Sequence, residues 1–227
     1  MTTTLITGAN KGLGYETARQ LIAAGHQVWI GARDPERGRT AADGLGGRFL
    51  PLDITDDDSV AAAAATVGEL DVLVNNAGIS GGLAAPIDVT ADLMRTVYEP
   101  NVFGVVRVTR AFLPLLQQSA HPVIVNVTSG LGSMTLATDP TSIASRYQML
   151  AYSSAKAALN MLTVQYAKAF PAIRINCVDP GFTATDFNGH RGVQTVEEGA
   201  EIIVRMAQLT SDGPTGTWLD RAGAVPW

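Results

Sequence analysis

The sequence predicts one α/β domain, a doubly wound parallel sheet of about seven strands with helices on both faces. Three observations carry that expectation. Short β-prone runs alternate with helical stretches along the whole 227 residues. Several runs, such as Asp71-Val72-Leu73-Val74, are apolar without alternation, as strands covered on both faces are. No linker or shift of composition divides the chain, so residues 1–227 read as a single domain.

Composition narrows the class further. The chain is 46% hydrophobic and 16% charged, which suits a well-buried core. A formal net charge of −5 argues against a nucleic-acid partner, since phosphate binding needs a basic face. Cys177 is the only cysteine, which excludes an internal disulfide and a thiolate zinc site; no metal is expected. There is no long apolar span and no secretory leader pattern, so a soluble, cytoplasmic protein with no membrane partner is expected.

The elements follow in order. Thr3–Thr7 is a first strand ending at Gly8, followed by Ala9-Asn10-Lys11-Gly12-Leu13-Gly14 and a helix to about Ala24. Strand, glycine turn and helix together point to dinucleotide binding in a Rossmann-type fold. Gly8 allows the tight turn, Gly12 lets the backbone approach a pyrophosphate, and Gly14 lets the helix pack on the strand. A second strand, Gln27 to Gly31, ends at Ala32-Arg33-Asp34. NAD binding calls for an acid near that end, to bond the ribose 2′-hydroxyl. Ala32 stands there instead, and Arg33 with Lys11 favours a 2′-phosphate, hence NADP(H). Asp34-Pro35 reads as an N-cap and first helical residue.

Arg48 to Leu52 is a third strand ending at Asp53, which is either a cap or a ligand for the adenine edge. An alanine-rich helix spans roughly 57–67, and the apolar fourth strand runs into Asn75-Asn76-Ala77-Gly78. A helical region over about 90–118 is interrupted near Pro100, which exposes Asn101 at an irregular turn. The fifth strand, 121–127, ends at Thr128-Ser129-Gly130. A long connection over 130–151, with one helical turn around 142–150, leads to the helix 152–169. Ile173 to Val178 is a sixth strand, ending at Asp179-Pro180-Gly181. Thr195-Val196-Glu197-Glu198 forms a capping box for a last helix, to about Leu209, and 217–219 a short seventh strand.

Tyr152 and Lys156 lie four apart, on one helix face. A cation about 4 Å from a phenol, at an effective dielectric constant of ~20, supplies the roughly 4 kcal/mol that would bring its pKa from ~10 to neutrality. The pair is therefore expected to make an acid–base tyrosine. Taken alone it also fits an amphipathic helix with an exposed lysine. The loops 78–86, 129–151 and 180–195 all follow strands and gather at the carboxyl edge of the sheet, where ligands bind in such folds. Ser129, Asn101 and Tyr152 should therefore share a crevice with the glycine turn.

At this point the chain resembles the short-chain dehydrogenase/reductase family over nearly its whole length. The markers are Thr7-Gly8-x-x-x-Gly12-x-Gly14, Asn75-Asn76-Ala77-Gly78, Asn101, Ser129, Tyr152-x-x-x-Lys156 and Pro180-Gly181, in order and each on the right element. Gly8 to Gly14 and Gly31-Ala32-Arg33-Asp34 look like the NADPH-dependent carbonyl reductases, as does the tail with Gly213-Pro214-x-Gly216 and Trp227. The resemblance implies hydride transfer from NADPH to a ketone or aldehyde, with Tyr152 protonating the oxygen and Ser129 fixing it. Lys156 would lower the tyrosine's pKa and hold the nicotinamide ribose, and Asn101 would hold a water leading to solvent. Gly8, Asn10, Lys11, Gly12, Leu13 and Gly14 would line the phosphates, with Lys11 and Arg33 on the 2′-phosphate. Asp53 and Ile54 would meet the adenine, Asn75, Ala77 and Gly78 the adenosine side, and Pro180, Gly181, Thr183 and Thr185 the nicotinamide end.

Other residues carry plainer expectations. Asn76 is as suited to tying strands together as to touching a cofactor, Tyr147 has Ala151 where a lysine would be needed, and Cys177 packs in a strand. His26, His121 and His190 suggest no triad or metal site. The link between Ser129 and Tyr152 is longer than the family's usual one and resembles the carbonyl reductase insertion that covers a tetramer face, so a monomer or small homo-oligomer is implied. The loop after Gly181 is short, which should leave an open, shallow pocket for bulky or varied carbonyl substrates. A secondary-alcohol dehydrogenase working in the oxidative direction would use the same residues. A nucleotide-binding regulator that had lost catalysis would keep the fold.

Overall fold

The structure, a computed structural model, describes all 227 residues. Seven strands alternate with helices: β1 (Thr3–Thr7), β2 (Gln27–Ala32), β3 (Arg48–Pro51), β4 (Val72–Asn75), β5 (Val123–Val127), β6 (Arg174–Val178) and β7 (Trp218–Leu219). All pairings are parallel, in the order β3-β2-β1-β4-β5-β6-β7. The order reverses at β1 and β4, and that reversal opens a crevice at their carboxyl ends.

Alternate residues of each strand feed two cores. Val72 and Val74 of β4 face one side, packed with Val125 and helices α1 (Gly12–Ala23), α2 (Pro35–Leu45) and α8 (Val196–Ala207). Leu73 faces the other side, among α3 (Asp57–Val67), α5 (Gly104–Leu116) and α7 (Leu150–Ala169). Burial on both faces is why the apolar runs are unbroken.

Local chemistry sets the helix ends. The Asp34 carboxylate accepts from the Glu36 and Arg37 amides at 3.0 and 3.1 Å, ahead of Pro35, so its role is the cap. Thr195 and Glu198 close the capping box of α8.

The helical region around Pro100 departs from expectation. Helix α4 (Ala91–Tyr98) does not break there but widens into a π-helical turn, Glu99–Phe103, that runs on into α5. The wide turn accommodates a residue that has no N–H to give. It also turns Asn101 inward, to 1% exposure, rather than out to solvent. The connection 130–151 holds more structure than one helical turn: 3₁₀ turns at Gly130–Gly132 and Ala144–Arg146 flank the short α6 (Met134–Thr138). No helix is long and apolar enough to cross a membrane.

Candidate active site

The carboxyl ends of β1, β4, β5 and β6 open onto one cavity of about 1280 Å³. The turn between β1 and α1 supplies Gly8, Asn10, Lys11, Gly12, Leu13 and Gly14 to its wall. The segment after β4 supplies Ala77 and Gly78, and β5 and α7 supply Ser129, Tyr152 and Lys156. Pro180, Gly181, Thr183 and Thr185 follow from β6. The crevice expected from the loops is thus assembled, with the glycine turn and the Tyr152–Lys156 pair in one space.

The glycine turn suits an anionic ligand approached by backbone. Gly8 has φ +66° and Gly12 φ +54°, a region that side chains disfavour. A Cβ on Gly14 would lie 2.5 Å from Asn76 Nδ2 and 2.6 Å from the Gly8 carbonyl oxygen, so only glycine lets α1 start here. No side chain caps the N-terminus of α1, which leaves its first amides free to meet a phosphate. The cradle fits the pyrophosphate of a dinucleotide. Asn76 itself ties the turn down: its amide donates to the carbonyl oxygens of Thr7 and Gly8 at 2.9 and 3.2 Å.

Tyr152 and Lys156 lie on the cavity side of α7 with little exposure. Lys156 Nζ is 5.6 Å from the centroid of the Tyr152 ring and donates to the Val127 carbonyl oxygen at 2.9 Å. Electrostatically the pair differs from expectation. Burial pushes the Tyr152 phenol above its ordinary value, the Asp179 charge adds to this, and the Ser129 hydroxyl opposes it. Burial draws the Lys156 ammonium down to about 8, against smaller upward pulls from Cys177 and Asp179. Burial dominates the phenol's shift, and the Lys156 ammonium is turned to Val127.

Asn101 stands behind this pair. Its amide donates to the carbonyl oxygens of Ile79 and Val97, both at 2.8 Å, while its Oδ1 is buried without a partner. A Cβ on Gly78 would lie 2.4 Å from that Oδ1 and 3.8 Å from Lys156 Nζ, so the free acceptor and the ammonium flank one glycine.

Four expected cofactor residues lie outside the cavity wall. The Asn75 side chain turns into the sheet and donates to Asn126 Oδ1 at 2.8 Å and Thr109 Oγ1 at 3.3 Å, a strand-to-helix tie. Ile54 is buried in the core beside α5, where its carbonyl oxygen takes a bond from Arg107. Asp53 forms a local turn with Thr55: burial pushes its carboxyl up, but the Thr55 hydrogen bonds hold it below its ordinary range. Arg33 is exposed and forms no ion pair, while Lys11 turns across the crevice mouth to Asp186, 3.1 Å away. The two cations are therefore not gathered on one spot.

The loop after Gly181 is short but does not leave the site bare. Its 3₁₀ turn, Asp186–Asn188, sets the Phe187 ring 5.6 Å from that of Tyr152, and Tyr147 pairs with Phe182 at 6.4 Å as another part of the wall. The Thr183 hydroxyl is spent inside the loop, on Pro180 and Gln194, whereas the Thr185 side chain faces the position a Gly12 Cβ would take. Tyr147 lacks a lysine partner, as expected, yet shapes the cavity. Asp179 is a further member that has no motif to mark it: it follows β6, as many acids follow strands, and only the fold brings it into the same cavity wall as Tyr152. Cys177 is fully buried, with its thiol pushed up to about 12 by burial.

Comparison with known proteins agrees with this geometry. A family model described as short chain dehydrogenase matches residues 2–195. The short-chain dehydrogenase anuI of Penicillium roqueforti is 41% identical over 220 residues, covering 89% of this chain and 87% of the relative. Salutaridine reductase of Papaver bracteatum is 30% identical over 289 residues, covering 95% and 93%. Among solved structures, NADPH-bound carbonyl reductase from chicken fatty liver superposes with a TM-score of 0.88 at 29% identity, over 100% of this chain and 99% of that one.

Proposed function

Because the chain belongs to the short-chain dehydrogenase/reductase family of oxidoreductases, we propose that it reduces ketones or aldehydes with NADPH, using Tyr152 as the proton donor. One observation carries the reading: a neutral buried phenol, a hydroxyl and an ammonium share a cavity with a glycine turn built for phosphate. A reduced nicotinamide cofactor, held through its phosphates by the glycine turn Gly8 to Gly14, would supply the hydride, and with it the electron pair, to the carbonyl carbon. Tyr152 Oη gives its proton to the carbonyl oxygen, and the Ser129 hydroxyl fixes that oxygen. With its pKa near 8, Lys156 exchanges protons close to neutrality and recharges the tyrosine. The free Oδ1 of Asn101 is the acceptor from which a proton path to solvent would start.

The preference for NADPH rests on Ala32 at the end of β2, where an acid would serve NAD, and on the exposed Arg33 that follows it. The NADPH-bound neighbour in chicken is consistent with it. The wall of Phe182, Phe187 and Tyr147 suits substrates with apolar bulk next to the carbonyl. A panel of ketones and aldehydes, followed by loss of NADPH absorbance, tests the activity. The ratio of kcat/KM for NADPH and NADH tests the cofactor: NADPH is expected to lead by at least about tenfold, and parity would overturn the assignment.

A further inference from the structure

We propose that the segment Val225–Trp227 is a clamp on the substrate wall. It seats α6 so that Leu136 sets the width of the pocket beside Ser129, and the site thereby sorts carbonyl compounds by bulk. The clamp begins with a return turn. After β7 the Asp220 carboxylate accepts from the Ala222 and Gly223 amides at 2.7 and 2.8 Å, and the Asp220 amide donates to the Gly223 carbonyl oxygen at 2.9 Å. Gly223 takes φ +143°, which side chains disfavour, and the chain doubles back. Ala224 then bridges to Leu219 in the antiparallel sense, and the Val225 amide donates to the Trp218 carbonyl oxygen at 2.9 Å. The returning chain lies along the outer edge of the sheet, where β7 has no other strand beside it.

From that edge it is tied to α6 and to β7. The Ser133 hydroxyl donates to the Pro226 carbonyl oxygen at 2.6 Å while it caps α6 by accepting from the Leu136 amide at 3.0 Å. The Thr135 amide and hydroxyl both donate to the main-chain oxygen of Trp227, at 3.2 and 2.7 Å. The Trp227 ring packs on that of the buried Trp218, with centroids 5.5 Å apart.

Leu136 carries the effect inward. It packs against Cys177, Trp218 and Val225, and it also lines the cavity. Its Cδ1 lies 3.7 Å from the place a Cβ on Gly130 would take, one residue from Ser129. Helix α6 also packs on the 3₁₀ turn Ala144–Arg146, which adjoins Ile143 and Tyr147 of the same wall. A misfit of one methylene against an apolar wall changes kcat/KM by about tenfold or more. Where the tail sets Leu136 therefore decides how much bulk fits beside the reacting oxygen.

Sorting by bulk rests on the carbonyl reduction proposed above, and the measurements separate the two. Cyclohexanone and 2-decalone, ketones that differ by one ring, report the width of the pocket, with NADPH as reductant. Trp227→Ala and Leu136→Ala should both shift the ratio of kcat/KM toward the two-ring ketone by at least about fivefold. The shift should lie in KM, with kcat changed by no more than about twofold. Trp227→Phe, which keeps a ring on Trp218, should return the ratio to within about twofold of the wild type. Thr135→Val, which removes one bond and almost no volume, should shift it in the same direction by less. Activity lost by equal factors for both ketones, or a shift in Leu136→Ala alone, would overturn the proposal. Hydrogen exchange of the ligand-free proteins needs no turnover: Trp227→Ala should speed exchange at 134–138 and leave 183–194 unchanged. Unchanged protection at 134–138 would overturn the clamp as well. A wild type inactive toward every carbonyl compound overturns the preceding reading instead, and exchange then decides the clamp alone.

Discussion

Tyr152 and Lys156 share one buried face, and burial moves them in opposite senses, the phenol up and the ammonium down. Under the proposed mechanism the two shifts serve one cycle: the phenol keeps its proton until a carbonyl oxygen arrives, and the lysine can replace it near neutral pH. Tyr152→Phe should abolish turnover while NADPH still binds, as a fluorescence titration would show. The ring keeps its place beside Phe187, so the unfolding free energy should change by no more than about 1 kcal/mol. Retained turnover would remove Tyr152 from the chemistry. At this scale the spacing of four was legible in the sequence, because a helix places such residues together. The direction of the phenol's shift was not. It depends on Phe187 and Asp179, which reach Tyr152 from parts of the chain about thirty residues away, through contacts no local pattern records.

The strands were legible almost to the residue, because unbroken apolar runs and the turns that end them are local features. The 3₁₀ turn Gly130–Gly132 was not, since its place depends on packing against α7. A Cβ on Gly132 would lie 2.8 Å from the carbonyl carbon of Lys156 and 2.9 Å from the amide of Ala157, both backbone atoms that cannot step aside. Gly132→Ala should therefore push the Ser129 loop away from α7, at a cost of about 1–3 kcal/mol in chemical denaturation, with a clear loss of kcat. A variant as stable and active as the wild type would show that this contact is loose. The π-helical turn at Pro100 was half legible: proline announces an irregularity, but whether the helix stops or widens is settled by where Asn101 must go.

For the molecule as a whole, the buried lysine ties stability to pH. Its folded pKa of about 8 lies below the ordinary 10.5, so between those values the unfolded chain binds more protons and folding gains as pH rises. Below about 8 both states are charged and the full burial penalty stands, about 3 kcal/mol by the size of the shift. Lys156→Met should thus be more stable than the wild type at neutral pH, and that advantage should shrink as the pH approaches 10.5. Urea midpoints of both proteins across that range check it; a constant difference would mean the ammonium is not desolvated. The fold class and sheet content were legible at this scale because strand and helix alternate from end to end.

The placing of β1 has one more consequence. It pairs with β2 on one side and β4 on the other, and so joins the β2–β3 half of the sheet to the half whose helices carry Tyr152. Without it, two rows of unpaired amides and carbonyls would face outward, the kind of open edge on which chains recruit one another. The strand that leads into the glycine turn therefore also covers two inner edges of the sheet: what disturbs the seating of Thr3–Thr7 should be felt first as aggregation and only afterwards as lost activity.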